Sequence, residues 1–312
     1  MAAITGIHHV TAIGASPQDN LDFYVGVLGL RLVKRTVNFD DPTTYHLYYG
    51  DDLGTPGTVM TFFPWPNASP GRAGVGTVAA TSFAAPAGSI EYWVERLAHT
   101  VFKHYTPIQR FGETVLPLHD RDGLPLEIVE RQPGHEVGGW TGGPVDSEFA
   151  VRSFDGVTLS LGDTGPTAAF LRDVFGYEEV GVEDGRLRLI SPAGSHATRI
   201  DLVTSSEVAR RGAGTIHHVA FRARDEEDQL MWRQRVEEAG LQVTGVKDRQ
   251  YFRSIYFREP GGVLFEIATD GPGFTHDESP EDLGSTLQLP PWVEPRRLEI
   301  ERRLPEIAVP NL

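Results

Sequence analysis

Residues 7–10 read Ile-His-His-Val, and residues 216–219 read Ile-His-His-Val again. Each copy is followed by a polar break and then by apolar residues three and four positions apart, the spacing of a helix with one buried face. Ser16 after the first copy and Asp225 after the second are the predicted helix caps. The chain therefore repeats a unit that begins with a strand, a helix and a second strand, which we predict at residues 30–35 and 241–246.

Two weaker copies of the unit lie between these two. One begins with the strand-like residues 76–83 and the other with residues 149–161, and each leads into a helical pattern. Two or three β-like runs follow every helix, so the unit is βαβββ. We therefore predict an α+β protein of four βαβββ modules, at residues 4–66, 77–131, 147–205 and 214–270.

Linkers rich in Pro and Gly separate the modules, at residues 64–75, 132–144 and 205–214. The central linker is the most glycine-dense and predicts two domains of two modules each, at residues 1–140 and 145–270. Residues 271–312 form a tail rich in Pro and acidic residues, within which the stretch IERRL predicts a short helix.

Composition restricts the chemistry that the chain can carry. Its 312 residues include 28 Lys plus Arg, 43 Asp plus Glu, 11 His and no Cys, with a net charge of −15. Without Cys there is no disulfide, thiolate zinc site or Fe–S cluster, so any metal is held by His and carboxylates. The negative charge disfavours a nucleic-acid partner. Neither a signal peptide nor a membrane-spanning stretch is apparent, which favours a cytoplasmic protein.

The two His of each pair point to opposite faces of their strand, because strand side chains alternate. His8 and His217 share their faces with apolar residues, which we expect to lie beneath the helices. His9 and His218 then face what the sheet encloses. In the final strand of the fourth module, Glu266 alternates with apolar neighbours and also faces away from them. Two His and one carboxylate form the facial triad typical of non-haem Fe(II).

The middle modules lack a His pair and serve as an internal control. Their final strands carry Glu127 and Asp201, which we expect to be structural or solvent-facing. Six other His show no metal-binding spacing and receive no role: His46, His99, His104, His119, His135 and His196. His276, in the stretch GFTHDE, lies just beyond the strand that carries Glu266, and its role is left open.

These motifs resemble a known family. The runs IHHVT, VKRTVNFDDPTTYHLYYGDDLGTPGTVMTFFPW, IHHVAF, DRQYFRSIYFREPGGVLFE and GFTHDE resemble ring-cleaving dioxygenases of the vicinal oxygen chelate, or glyoxalase/bleomycin resistance, superfamily, and most closely its hydroquinone 1,2-dioxygenase branch. The resemblance covers essentially the whole chain and is most specific at residues 6–64 and 214–278.

The resemblance implies a metal site supplied by the first and fourth modules. Its ligands fall on His9, His218 and Glu266, the residues that strand alternation also selects. The metal implied is Fe(II), with Mn(II) as an alternative, and O2 is the co-substrate. Four further residues are expected near the open coordination positions or beside the ligands, as catalytic residues: His8, His217, Arg249 and Tyr256.

The predicted function is oxygen-dependent cleavage of a hydroquinone- or catechol-like ring. Tyr256 or a neighbouring His would accept or relay the phenol proton, and Arg249 would stabilise negative charge. One alternative is a glyoxalase-type isomerase, disfavoured because the matching strand of the first module, GTVMTFFPW, has no second carboxylate. Another is a non-catalytic drug- or metabolite-binding protein. Such modules often pair between chains, so a homo-oligomer is one expectation.

Overall fold

The computed structural model describes residues 3–132 and 138–309. His135 and part of the central linker lie outside the described residues. Within the described ranges, no helix is both long and apolar enough to cross a bilayer.

Each of the four modules contributes four strands and a helix. The first comprises β1 (Ile7–Gly14), α1 (Pro17–Leu21), β2 (Arg31–Asn38), β3 (Asp41–Gly50) and β4 (Val59–Pro64). The second comprises β5 (Thr77–Pro86), α2 (Ile90–Ala98), β6 (Ile108–Arg110), β7 (Glu113–His119) and β8 (Pro125–Arg131). The third comprises β9 (Phe154–Leu161), α3 (Gly165–Asp173), β10 (Glu178–Glu183), β11 (Arg186–Ile190) and β12 (Arg199–Thr204). The fourth comprises β13 (Thr215–Ala223), α4 (Glu226–Glu238), β14 (Lys247–Asp248), β15 (Phe252–Arg258) and β16 (Leu264–Pro272).

The strands form two eight-stranded sheets. One has the order β14-β15-β16-β13-β1-β4-β3-β2 and joins the fourth module to the first; the other has the order β10-β11-β12-β9-β5-β8-β7-β6 and joins the third to the second. The predicted α+β class and the four βαβββ modules are confirmed. Each sheet combines one module from each predicted domain, and the division into residues 1–140 and 145–270 stays a prediction.

The helices begin where the sequence indicates. The Ser16 hydroxyl accepts from the Asp19 backbone N–H at 3.2 Å, and the Asp225 carboxylate accepts from the Asp228 N–H at 2.8 Å. Helix α1 continues as a π-helix over Asp22–Val27, which the periodicity did not predict. The tail helix α5 (Arg297–Arg303) confirms the helix predicted there.

One predicted strand, at residues 241–246, is wrong. The segment approaches β15, but Tyr256 donates its backbone N–H to the Thr244 hydroxyl at 3.0 Å instead of to a carbonyl. A side-chain acceptor at this point interrupts the ladder. Only β14, two residues long, pairs with β15 beyond it.

Apolar faces of both sheets pack beneath the helices. Trp93 of α2 and Trp232 of α4 are almost wholly buried, and Trp232 lies in the same cluster as Phe265 and Ile267 of β16. Because Phe265 and Ile267 face the helix, Glu266 between them points to the opposite face of the sheet. The core therefore determines the direction in which this carboxylate points.

Asp120, in the turn before β8, joins the second module to the π-helix that follows α1. It accepts hydrogen bonds from the Tyr24 hydroxyl at 3.1 Å and the Leu124 N–H at 2.8 Å. Burial raises the pKa of Asp120 to about 7, against the lowering effect of the Leu124 hydrogen bond. The folded protein therefore holds a proton on this carboxyl that the unfolded chain has already lost above about pH 4.

We expect Asp120 to reduce the stability of the protein as pH rises. Between about pH 4 and pH 7 the folded state binds more protons at this site than the unfolded state, so the free energy of unfolding falls with rising pH, by a few kcal/mol at most. Asp120→Asn removes the titration. Its free energy of unfolding, relative to that of wild type, should therefore be higher at pH 8 than at pH 5. Urea unfolding at both pH values measures this, and an equal effect of the substitution at both would contradict it.

Candidate metal centre

The centre lies where the first and fourth modules meet. Strands β1 and β13 are antiparallel neighbours, and β16 runs parallel to β13. Their register places Thr11 opposite His218, and Ala220 opposite both His9 and Glu266. Strand alternation then directs His9, His218 and Glu266 to the same face, as the sequence indicates.

The three side chains converge on one point. The Nε2 atoms of His9 and His218 are 3.4 Å apart. Glu266 Oε2 lies 2.8 Å from His218 Nε2 and 3.5 Å from His9 Nε2. All three residues are buried, and Glu266 is fully inaccessible to solvent. Among the described residues, this is the one group of three or more His, Cys, Asp or Glu close enough to share a metal ion.

The neighbouring His of each pair orients the converging ring. His8 Nε2 lies 3.1 Å from the Thr269 carbonyl oxygen, and because a carbonyl only accepts, this nitrogen carries the proton. His8 Nδ1 is then the acceptor for His9 Nδ1–H at 2.9 Å. His9 Nε2 is left with its lone pair directed at the centre, the tautomer that a metal ligand needs.

The fourth module repeats this arrangement. His217 Nδ1 lies 2.7 Å from His218 Nδ1, which leaves His218 Nε2 on the side of the carboxylate. The Ser254 hydroxyl donates to Glu266 Oε1. Glu266 Oε2 has no hydrogen bond of acceptable geometry although it is fully buried. A buried carboxylate oxygen without a donor is costly unless a cation neutralises it, so the donor set fits a divalent metal.

The charge states also suit a metal. Burial would raise the pKa of Glu266, but His9 and His218 hold it well below its ordinary value. Burial lowers the pKa of His218, against the effect of Glu266, and lowers that of His217 to about 3. The pKa of His8 is also well below 6.5 because of its burial and of His9 nearby. At neutral pH the centre therefore offers the Glu266 carboxylate and a neutral His218 imidazole, the forms that bind metals.

A cavity of about 210 Å³ opens onto the three side chains. Aromatic side chains form much of its wall: Phe39, His46, Tyr48, Phe63, Trp65, Phe252 and Tyr256. The Phe252 ring lies 4.9 Å from the His9 ring, centroid to centroid. The cavity is thus a flat-walled space for one small aromatic ring, and His9, His218 and Glu266 form part of its wall.

Arg249 and Tyr256 both line this cavity, as the resemblance implies. Arg249 Nε donates to the Tyr256 hydroxyl at 3.1 Å, and Arg249 Nη1 lies 3.2 Å from Asp40 Oδ2. The pKa of Tyr256 is raised mainly by burial and also by the charge of Glu266, so its hydroxyl keeps its proton. The pair offers a cation and a phenolic donor at the cavity wall.

The structure separates the remaining predicted residues. His217 lines the cavity, whereas His8 supports His9 from behind. His276 is not among the cavity residues; its neighbour Phe274 packs against Tyr48 instead. His46, to which the sequence analysis assigned no role, does line the cavity. His46 lies two residues before Tyr48, and in a strand this spacing places both side chains on one face, which is the signal that the sequence offers.

In the second sheet, the acids of the final strands form ion pairs, whereas Glu266 in the first sheet faces two His. Glu127 accepts from Arg110 at 2.9 Å, and Asp201 accepts from Arg188 at 2.8 Å and Arg186 at 3.2 Å. Each acid is therefore neutralised by guanidinium groups. This supports the structural role expected for Glu127 and Asp201.

Comparison with known proteins finds similarity along the chain. The family profile described as Glyoxalase/Bleomycin resistance protein/Dioxygenase superfamily matches residues 6–128 and 153–267. The chain is 50% identical, over 98% of each sequence, to MhqO of Bacillus subtilis (strain 168), named as a candidate ring-cleaving dioxygenase. It is 35% identical, over 96% of each sequence, to the chlorohydroquinone/hydroquinone 1,2-dioxygenase of Sphingobium indicum.

Solved structures resemble the fold as well. The crystal structure of a candidate dioxygenase from Bacillus subtilis superposes with a TM-score of 0.96 at 48% identity and covers 100% of both chains. Glyoxalase I from Zea mays superposes with a TM-score of 0.63 at 13% identity, over 85% of this chain and 92% of the maize chain. The second likeness concerns the fold alone.

Proposed function

Since this chain belongs to the Glyoxalase/Bleomycin resistance protein/Dioxygenase superfamily, we propose that it is a non-haem Fe(II)-dependent dioxygenase that cleaves the ring of a hydroquinone- or catechol-like aromatic, with O2 as co-substrate. The observation that carries the proposal is the convergence of His9, His218 and the unpartnered oxygen of Glu266 at the end of an aromatic-walled cavity. Two imidazoles and one carboxylate leave coordination positions open for substrate and oxygen. The relatives named as ring-cleaving dioxygenases support the reaction class.

When bound by these ligands, Fe(II) supplies Lewis acidity towards an ionised phenol and reactivity towards O2. The protein's own groups handle protons and charge. His217 is neutral at the cavity wall, where its Nδ1 holds the ring of His218 in place. Tyr256 holds its proton and can donate a hydrogen bond, while Arg249 stabilises negative charge developing on the ring. A neutral phenol also avoids the repulsion that a chain with a net charge of −15 exerts on anions.

A glyoxalase-type isomerase is the weaker alternative. Val10 pairs with Met60 and Thr11 with Thr61, just as Ala220 pairs with Glu266 in the fourth module. Aligning the two Ile-His-His-Val copies makes Thr61 the counterpart of Glu266. A threonine hydroxyl cannot act as the second carboxylate base that such an isomerase uses. A non-catalytic binding protein, in turn, has no use for a buried carboxylate oxygen without a partner.

Metal analysis and oxygen consumption test the proposal on the wild-type protein. We expect iron in the protein purified without oxygen, and uptake of one O2 for each hydroquinone or catechol consumed, with loss of the aromatic absorbance. Nickel or zinc without oxygen uptake would favour the isomerase. A protein that binds phenols with no metal would favour the binding protein, and either result would contradict the dioxygenase.

A further inference from the structure

Four side chains form an unbroken hydrogen-bonded chain along the wall of the metal-site cavity. The Tyr48 hydroxyl lies 2.8 Å from His46 Nδ1, and His46 Nε2 lies 2.8 Å from the Thr61 hydroxyl. The Thr61 hydroxyl donates to the Thr11 hydroxyl at 2.9 Å. Tyr48, Thr61 and Thr11 are at most 1% exposed. We call this set, Tyr48–His46–Thr61–Thr11, the hydroxyl–imidazole chain.

Three adjacent strands hold this chain in register. Thr61 on β4 is the cross-strand partner of both Thr11 on β1 and Tyr48 on β3. Thr11 is also the partner of His218 and lies two residues from His9 on the same face. The chain therefore begins beside the candidate metal ligands and runs across the sheet to Tyr48.

Counting protons shows that one donor is left over. Burial raises the pKa of Tyr48 well above 10 and lowers that of His46 well below 6.5, so both groups are neutral. Each of the four groups then carries one hydrogen-bonding proton, whereas three bonds link them. With the proton on His46 Nε2, the spare donor is the Thr11 hydroxyl. With the proton on Nδ1, the spare donor is the Tyr48 hydroxyl.

Both possible ends of the chain line the cavity, as does His46 in its middle. We propose that the hydroxyl–imidazole chain is a proton relay that moves a proton across the cavity wall between Tyr48 and Thr11, with His46 as the residue that exchanges tautomers. The proposal rests on the proposed dioxygenase function, since a phenol substrate must release a proton and the opened ring must take one up.

The transfer is balanced atom by atom. The phenol gives its proton to the Tyr48 oxygen, Tyr48 gives its own to His46 Nδ1, and His46 Nε2 gives its proton to Thr61. Thr61 passes its proton to Thr11, and Thr11 releases its proton to an oxygen of the reacting substrate. Every group loses one proton and gains one, so none becomes charged, and His46 ends as the other tautomer. The starting arrangement returns when a proton passes along the same four groups in the opposite direction, from the Thr11 side to the Tyr48 side.

A merely structural role would predict a different pattern. A side chain that only fills space tolerates loss of its hydroxyl at a modest cost in stability. A relay fails at any broken link, because the proton cannot cross the gap. Thr61 is the decisive link, since it is not among the residues that line the cavity and its replacement by Val conserves its shape.

Kinetics of near-isosteric variants test the relay. We expect Tyr48→Phe and Thr61→Val each to lower kcat by about 10- to 100-fold, within the range of general acid–base catalysis, with KM and iron content unchanged. In wild type the plot of rate against D2O fraction (the proton inventory) should be bowed, and in Thr61→Val it should be linear.

Tyr45→Phe is the matched control on β3, the strand of Tyr48. The Tyr45 hydroxyl donates to the Pro305 carbonyl, outside the relay, and kcat should stay at the wild-type value. Wild-type kcat in Thr61→Val would overturn the relay, whereas iron-loaded wild type that consumes no O2 with any hydroquinone would overturn the proposed function.

A second readout does not depend on turnover. Nitrogen-15 NMR of the protein with zinc in place of iron reports which nitrogen of His46 carries the proton. In wild type we expect a neutral imidazole, and in Thr61→Val a shift towards the Nδ1–H tautomer, because Nε2 loses its acceptor. An unchanged tautomer population would show that Thr61 does not control His46 and would overturn the relay even in an active enzyme.

Discussion

Glu266→Gln is expected to abolish metal binding and, with it, oxygen uptake. The substitution keeps the size of the side chain and its bond to Ser254, but removes the charge of the one oxygen that faces both imidazoles. Loss of a residue that supports a ligand typically costs 10- to 100-fold in metal affinity, so loss of a ligand should cost more than about 100-fold. His9→Ala and His218→Ala should do the same, since each removes a ring whose Nε2 faces the carboxylate.

Thermal unfolding gives a second measure of the same loss. Metal that binds only the folded state raises the midpoint of unfolding, so added Fe(II) or Mn(II) should stabilise wild type and leave Glu266→Gln unchanged. His104→Ala is a suitable control, since His104 lies beside strand β7 of the second sheet, where its ring bonds locally to the Phe102 carbonyl. Full iron content in any of the three ligand variants would contradict the assignment of the metal site.

Lys34→Met is expected to lower the free energy of unfolding by about 3–5 kcal/mol, the usual cost of removing one partner of a buried ion pair. Lys34 on β2 is fully buried, and its Nζ lies 2.5 Å from both Asp277 Oδ1 and Glu278 Oε2. Glu278 is itself 9% exposed. Without the ammonium group, two acids of the tail would face each other with no cation.

The ion pairs of Lys34 attach the tail to the first module. Tyr251 donates to Asp277 Oδ2 at 3.0 Å, and Phe274 packs against the Tyr48 ring at 5.1 Å. Urea unfolding of Lys34→Met measures the loss, with Lys247→Met as the control because Lys247 is exposed at the end of the short strand β14. Equal stability of the two variants would mean that the buried ion pairs contribute nothing net.

Much of the fold and the three central site residues could be predicted from local patterns. The repeated Ile-His-His-Val strands and the helix caps at Ser16 and Asp225 are local signals, and they mark the modules correctly. The alternation of Glu266 with apolar neighbours predicts its face because a strand has a period of two residues. What failed was also local: at residues 241–246 a Thr side chain replaces a backbone acceptor, which no periodicity reveals.

The sequence by itself determined the modules, the face of each His and the residue types available for a metal. Only the tertiary structure decided that the first and fourth modules share a sheet, because strand pairing between residues some 200 positions apart depends on the packing of the whole chain. That pairing brings His9 to 3.4 Å from His218 and leaves Glu266 Oε2 without a hydrogen-bond donor. It also places His46, unremarkable in sequence, between Tyr48 on its own strand and Thr61 on the neighbouring strand. Distances between side chains on different strands follow from register and sheet order, and neither is encoded in the spacing of any one segment.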